Sequence, residues 1–248
     1  MLASKGVLHL GFRPESGLLV GGAFGPFIAA FVAVYRTGGW PAVRGFALRT
    51  LRYRAGLPVV FAALLLVPAL ALCAAFLVAL QGGRPFAFAV SLADLPLLFV
   101  TLLVVGGSVE EEYGWAYAID GMQRTWGLLP ATIALGAIWG CWHIPLFFVA
   151  GLSQSYMPFW AFLTMTVSLR TMYVWAYEST RKSILVTLLF HTSTNVAFNL
   201  VTLLDYSPKR DERGFVYFAL LSTIPAACLA FRSRLYRRSP APKAISED

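Results

Sequence analysis

Six stretches of this chain run for roughly twenty residues with no charge, or with a single ionisable side chain. Gly17–Tyr35, Leu57–Leu80 and Gly214–Phe231 carry no charge at all. Pro130–Ala150 carries only His143, Pro158–Tyr177 only Arg170, and Ser183–Leu204 only His191. A helix that crosses the hydrocarbon core needs about 20 mostly apolar residues. A seventh stretch, Leu95–Ile119, qualifies only if Glu110, Glu111 and Glu112 are tolerated inside it. With 58% hydrophobic and 13% charged residues in a chain of 248, little is left for a soluble domain. The expectation is an all-α fold, a polytopic transmembrane helix bundle of about seven membrane helices, forming one integral membrane domain over 1–248. No cleavable signal is evident, because the first apolar run is long enough to stay in the membrane. Residues 1–16 and 239–248 read as frayed ends. Cys73, Cys141 and Cys228 lie in apolar runs and are expected to be buried thiols rather than disulfides.

Orientation follows from the Lys/Arg bias of the short loops. Loop 36–56 holds Arg36, Arg44, Arg49, Arg52 and Arg54, and residues 232–248 form a basic tail. With the N-terminus outside, 13 Lys/Arg fall on the cytoplasmic side and 6 on the other, with Arg170 inside a span. The protein is expected in the plasma membrane with a cytoplasmic C-terminus. The net charge of +8 is then topological, with the lipid bilayer and its anionic headgroups as partner. Nucleic acid is not expected as a partner, because the arginines flank spans instead of forming one soluble basic face.

An ionisable residue within a span is a functional candidate by default. The chain has three histidines, and His143 and His191 both fall in otherwise uncharged runs. Around the glutamates, "GGSVEEEYGWAY" places Gly107, Glu111, Gly114 and Ala118 on one helical face, whose small residues let a neighbour approach. Glu111 should therefore point into the bundle. Glu112 lies on the adjacent face with Ser108 and Ala116, and Glu110 is the most expendable, reaching for headgroups or water. Trp139 and His143 stand at i and i+4, and His191, Asn195 and Asn199 repeat that spacing two spans later. For any one of these residues, interhelical hydrogen bonding that glues the bundle is an even alternative. Together, on three spans, they point to a shared site. At about 1.5 Å per residue, Glu111 and His191 lie roughly 12 Å from the inner ends of their helices, and His143 lies nearer the midplane. The site is expected to open towards the cytoplasmic half.

At these residues the chain resembles the CAAX prenyl protease and bacteriocin-processing (CPBP, or Abi) family of intramembrane proteases. Three motifs carry the likeness: EExxxR, read here as "EEYGWA" (Glu111–Ala116), an aromatic-xxx-His, "WGCWH" (Trp139–His143), and HxxxN, "HTSTN" (His191–Asn195). The flanking "GWAYAIDGMQRTWG", "WHIPLFF" and "SILVTLLFHTSTN" agree, within a resemblance running from about Gly25 to about Asn199, with the motifs inside 107–199. The resemblance implies an intramembrane endopeptidase acting on a membrane-anchored peptide or protein substrate. In it, Glu111 and His143 hold and deprotonate a water, while His191 and Asn195 donate to the oxyanion, with Glu112, Arg170, Trp139 and Asn199 supporting. No cofactor is then needed. In a second family view Glu111, His143 and His191 ligate zinc or another divalent metal that activates the water, and two histidines with a glutamate suit zinc equally.

Ala116 departs from the pattern, which has an arginine there. Arg170, the sole basic residue inside a span, is the expected replacement as partner of Glu112, with Arg124 a weaker substitute and snorkelling to the interface the bland alternative. Relatives also carry one more apolar span before the segment resembling "GPFIAAFV". The competing classes are a non-catalytic scaffold or bacteriocin-immunity protein of the same fold, favoured by Ala116, and a proton-relay transporter, disfavoured by the lack of a repeated half.

Overall fold

The computed structural model describes residues 22, 24–52, 56–106 and 108–236. Among them are eight α-helices and no strand: α1 Gly25–Ala47, α2 Leu57–Leu80, α3 Leu95–Val105, α4 Ser108–Trp126, α5 Leu128–Trp142, α6 Phe159–Ser179, α7 Ile184–Leu200 and α8 Arg213–Arg232. The chain is an all-α membrane bundle. Three of its segments, Leu57–Leu80, Leu128–Phe148 and Arg213–Arg232, are long and apolar enough to cross a membrane by length and composition. The remaining helices are shorter or less apolar.

In lipid the apolar effect does not sort residues between inside and outside, so size and close packing do it. On α2 the buried stripe is Ala63, Val67, Ala71, Ala74, Ala75 and Val78, whereas Leu57, Phe61 and Leu65 face outward. Helices α6 and α7 are buried over most of their length. Gly136 and Gly140 on α5 form a close seam with α6: a Cβ at Gly136 would lie 2.6 Å from the Val167 Cα and 3.2 Å from the Arg170 Cβ. That approach brings the backbone under Arg170 against α5.

Four expectations need correction. The stretch Leu95–Ile119 is not one helix, since it breaks after Val105, with Gly106 as the C-cap of α3. Gly106 at the C-cap explains the break, because glycine is a poor helix interior and a good helix stop. Its consequence is that the glutamates open a helix instead of interrupting one, where free N–H groups and the helix dipole favour carboxylates. The stretch 36–56 is not all loop. Helix α1 continues to Ala47 across a break at Gly39 (φ 61°), and Leu48–Leu51 adds a 3-10 turn. Only Gly39 leaves the helical region, and Pro41 suits the first turn of the resumed helix. The three cysteines are free but exposed on the bundle's outer surface, since an apolar run does not say which face meets lipid. His143 is the C-cap of α5, and its helix starts lower than expected, at Leu128. The frayed-end expectation and the placement of Gly107 fall outside the described residues.

Depth is fixed by ion pairs. Asp120 on α4 contacts Lys182, between α6 and α7, at 2.7 Å and Arg49 at 2.8 Å, so these residues mark one level at the basic end of the bundle. The end of α4 and the start of α5 overhang that level, joined by a turn at Gly127 (φ 79°). Counting back at about 1.5 Å per residue, Glu112, His143 and His191 all sit on the order of 12–14 Å above it.

Candidate active site

The two glutamates are adjacent in sequence and held by different chemistry. Glu111, 6% exposed, receives two indole N–H groups on one oxygen: Trp139 Nε1 donates to Oε2 at 2.5 Å and Trp115 Nε1 at 3.1 Å. Its other oxygen, Oε1, stands 3.8 Å from His143 Nε2. That gap exceeds a hydrogen bond. His143 Nδ1 lies 2.9 Å from the Trp139 carbonyl oxygen, which can only accept, so Nδ1 carries the proton in the neutral ring. Nε2 is then bare and turned towards Glu111.

Glu112 is 1% exposed and bears an ion pair. Arg170 Nη1 donates to Oε2 at 3.0 Å, and His191 Nδ1 stands 3.0 Å from Oε1. The guanidinium is enclosed by aromatic rings, its carbon 4.5 Å from the Trp139 centroid, 5.3 Å from Tyr173 and 5.6 Å from Trp115. Ring quadrupoles attract a desolvated cation, which is how a 2% exposed arginine is accommodated with one carboxylate. Arg170 Nε and Nη2 are buried and have no partner among the described residues. Ala116, where the family pattern has arginine, is itself buried, and the cation reaches Glu112 from α6 instead.

Trp139 joins the two halves: its ring packs 5.4 Å from His191 and 6.1 Å from His143. Asn195 stands apart from both glutamates in its bonding. Its Nδ2 donates to the Gly106 carbonyl at 2.6 Å, at the α3–α4 break. Asn199 Nδ2 donates to the Asn195 carbonyl at 2.8 Å, within its own helix. Thr192 reinforces the same junction by donating to Ser108 Oγ at 3.0 Å. The Glu110 side chain lies outside those described. Arg124 makes no described contact with either glutamate and lies in a cleft at the basic end.

Whether these donors suit zinc can be asked of their bonding. Among the described residues no three His, Cys, Asp or Glu side chains gather as a metal site. Glu111 faces His143, while His191 is committed to the other glutamate. The arrangement does not fit a three-ligand zinc centre.

The comparisons with known proteins agree with this architecture. Residues 92–197, from the 3-10 turn before α3 to α7, match the family described as type II CAAX prenyl endopeptidase, Rce1-like. That interval contains every residue of both glutamate networks. The chain is also 29% identical, over 225 residues, to "CAAX prenyl protease 2" of the archaeon Methanococcus maripaludis, covering 84% of this chain and 80% of the relative. The chain is similar to the CPBP/CAAX protease family. With its long apolar helices, this likeness supports an integral membrane protein.

Sequence reasoning missed Trp115, although it lies inside "EEYGWA" at i+4 from Glu111, the same spacing that singled out Trp139 and His143. It also missed Tyr173, whose hydroxyl lies 2.5 Å from Thr194 Oγ1 and whose ring backs both Arg170 and His191. No spacing rule flags a tyrosine two helices away.

Proposed function

We propose that this protein is an intramembrane endopeptidase in which Glu111 and His143 activate a water that attacks a peptide carbonyl of a membrane-associated substrate. The observation that carries the reading is the 3.8 Å separation of Glu111 Oε1 and bare His143 Nε2. A water hydrogen-bonds to both at about 2.8 Å from each. Glu111 takes the water's proton as the oxygen bonds to the carbonyl carbon. It then returns that proton to the amide nitrogen as the C–N bond breaks, giving a carboxylate-ended and an amine-ended fragment. The oxyanion is met by His191, whose Nδ1 rests on Glu112. The second N–H of the Asn195 amide, beside the one held by Gly106, supplies a further donor. Such donors are commonly worth about 3–4 kcal/mol of barrier. Glu112 and Arg170 act as positioning residues, orienting His191.

The positive-inside bias supports placing the basic end in the cytoplasm, and the plasma membrane is the bilayer we assign. Arg170 at 3.0 Å from Glu112 supports the catalytic reading over a non-catalytic scaffold or immunity role, which rests on a Glu112 without a cation. The test is cleavage of a membrane-anchored peptide by purified full-length protein in lipid nanodiscs, read as new peptide termini. Glu111→Gln, which keeps the size and the indole contacts, is expected to slow cleavage by roughly 10²–10⁴-fold. Cleavage by the variant at the parent rate overturns the assignment, and proton flux without new termini points to the transporter.

A further inference from the structure

A cleft of about 730 Å³ opens at the basic end, between α1 with its 3-10 extension and the overhanging part of α4. It is separate from the glutamate networks: Asp120, in its wall, lies eight residues along α4 from Glu112. Its wall carries Arg49, Arg52 and Arg124 against the single acid Asp120. That carboxylate is already answered. Its Oδ2 accepts from Arg49 at 2.8 Å and the Tyr177 hydroxyl at 3.0 Å, and its Oδ1 from Lys182 at 2.7 Å and Gln123 at 3.3 Å. Arg49 is thereby paired, and two of the three arginine charges are left over. Arg52 and Arg124 are exposed and have no acidic partner among the described residues, and Arg49 Nη2 is buried with no partner. Beside the arginines the wall turns apolar, with Phe46 and Val34 of α1, while Trp126 stands half exposed at the rim. Leu51, beside Arg52, is 75% exposed.

We infer that this cleft binds a phosphate group, that of an anionic phospholipid such as phosphatidylglycerol in the basic-side leaflet. Guanidinium groups match phosphate oxygens in a forked geometry. Basic residues near an anionic surface each add to such attraction. A free phosphate uses the arginines alone. The apolar floor running towards Val34 and the exposed Leu51 and Trp126 suit a glycerol backbone and acyl chains that continue into the bilayer. The lipid would lie against both walls, α1 with its 3-10 turn on one side and α4 on the other, and so staple the two.

Native mass spectrometry of the full-length protein, loaded from mixed phosphatidylglycerol and phosphatidylcholine micelles, tests this. Phosphatidylglycerol is expected to be retained selectively. Arg52→Gln with Arg124→Gln is expected to lower its retention by about tenfold or more, while Arg52→Lys with Arg124→Lys retains most of it. Both pairs are exposed, so an unchanged melting temperature shows that the fold is kept. Equal retention of phosphatidylcholine, or unchanged retention in the glutamine pair, overturns the proposal. Millimolar inorganic phosphate is expected not to displace the lipid; displacement reassigns the cleft to the free anion and overturns the lipid assignment. Displacement by a peptide with a free C-terminal carboxylate, but not by its amide, overturns it in favour of a substrate tail.

Discussion

Glu111 and Glu112 are neighbours on one helix, yet their surroundings give them opposite capacities. Glu112 spends both oxygens on groups that carry or can carry positive charge, Arg170 and His191. Protonating it would break a buried ion pair. Glu111 is held by two neutral indole N–H groups on a single oxygen and keeps the other turned to an imidazole that is out of hydrogen-bonding reach. It can accept a proton without stranding a cation. Two carboxylates side by side thus divide into one bound in an ion pair and one that, in the proposed reaction, serves as the base. The division comes from which helices each one faces, not from any difference in the residues themselves.

The sharpest way to break that comparison is to neutralise each glutamate alone. Glu111→Gln is expected to lower kcat by roughly 10²–10⁴-fold with little change in melting temperature. Glu112→Gln is expected to show the reverse emphasis, with stability lost first because Arg170 is left buried without its counter-charge. Equal kinetic and thermal profiles for the two variants would dissolve the distinction.

Next in size is the ion pair itself. Removing one partner of a buried pair costs about 3–5 kcal/mol, because it leaves a charge in a low-dielectric interior. Arg170→Ala is expected to lose that much stability, measured by unfolding in mild detergent. Adding Ala116→Arg, which restores the family's own arginine one turn after Glu112, is expected to recover a substantial part. If the double variant is no more stable than Arg170→Ala, the cation supplied from α6 is not a replacement for the one missing from α4.

Much of this was legible beforehand because membrane helices advertise themselves. The uncharged run Leu57–Leu80 coincides with α2, and the limits expected around Arg170, His191 and the last span differ from α6, α7 and α8 by one to four residues. Arg170 was legible as the partner of Glu112 by elimination, being the one cation inside a span. Three things were hidden. Hydropathy treats Gly106 and Gly107 as neutral spacers, so the break that turns the glutamates into a helix start was invisible. The outward cysteines were hidden because lipid and protein interior are equally apolar. The sorting of His191 to Glu112 and of Asn195 to Gly106 depends on how three helices rotate about their axes, which spacing along one helix does not encode.

A finer probe of the same contrast is the indole pair on Glu111. Trp115→Phe keeps the ring against Arg170 but removes the N–H that reaches Oε2 at 3.1 Å. Hydrogen bonds to charged groups contribute about 1.5–3 kcal/mol, and the Trp139 donor remains. We expect a drop in kcat of about tenfold with KM unchanged, as befits a positioning residue. A change in KM alone would mean that Trp115 shapes substrate binding and leaves the base untouched.

The smallest expected effect comes from a carboxylate outside the bundle, which shows what a glutamate or aspartate does when water and backbone provide for it. Asp205, in the loop before α8, accepts backbone N–H groups from Ser207 at 2.9 Å and Asp211 at 3.1 Å. These bonds favour its charged form and hold its pKa down at about 2, from an ordinary 3.8. A depressed folded-state value means that the contribution is fully present above the unfolded pKa and is lost as the pH falls through the folded one. The loop is therefore expected to keep its order at pH 4 and to loosen as the pH approaches 2, seen as faster amide exchange over 205–211. Asp205→Asn should remove most of that dependence. Because the group is open to solvent, global stability is expected to move little, whereas neutralising either buried glutamate moves stability or rate at any pH. Loosening that begins well above pH 4 would show that other acids hold this loop, and Asp205 would cease to be the exposed counterpart of the buried pair.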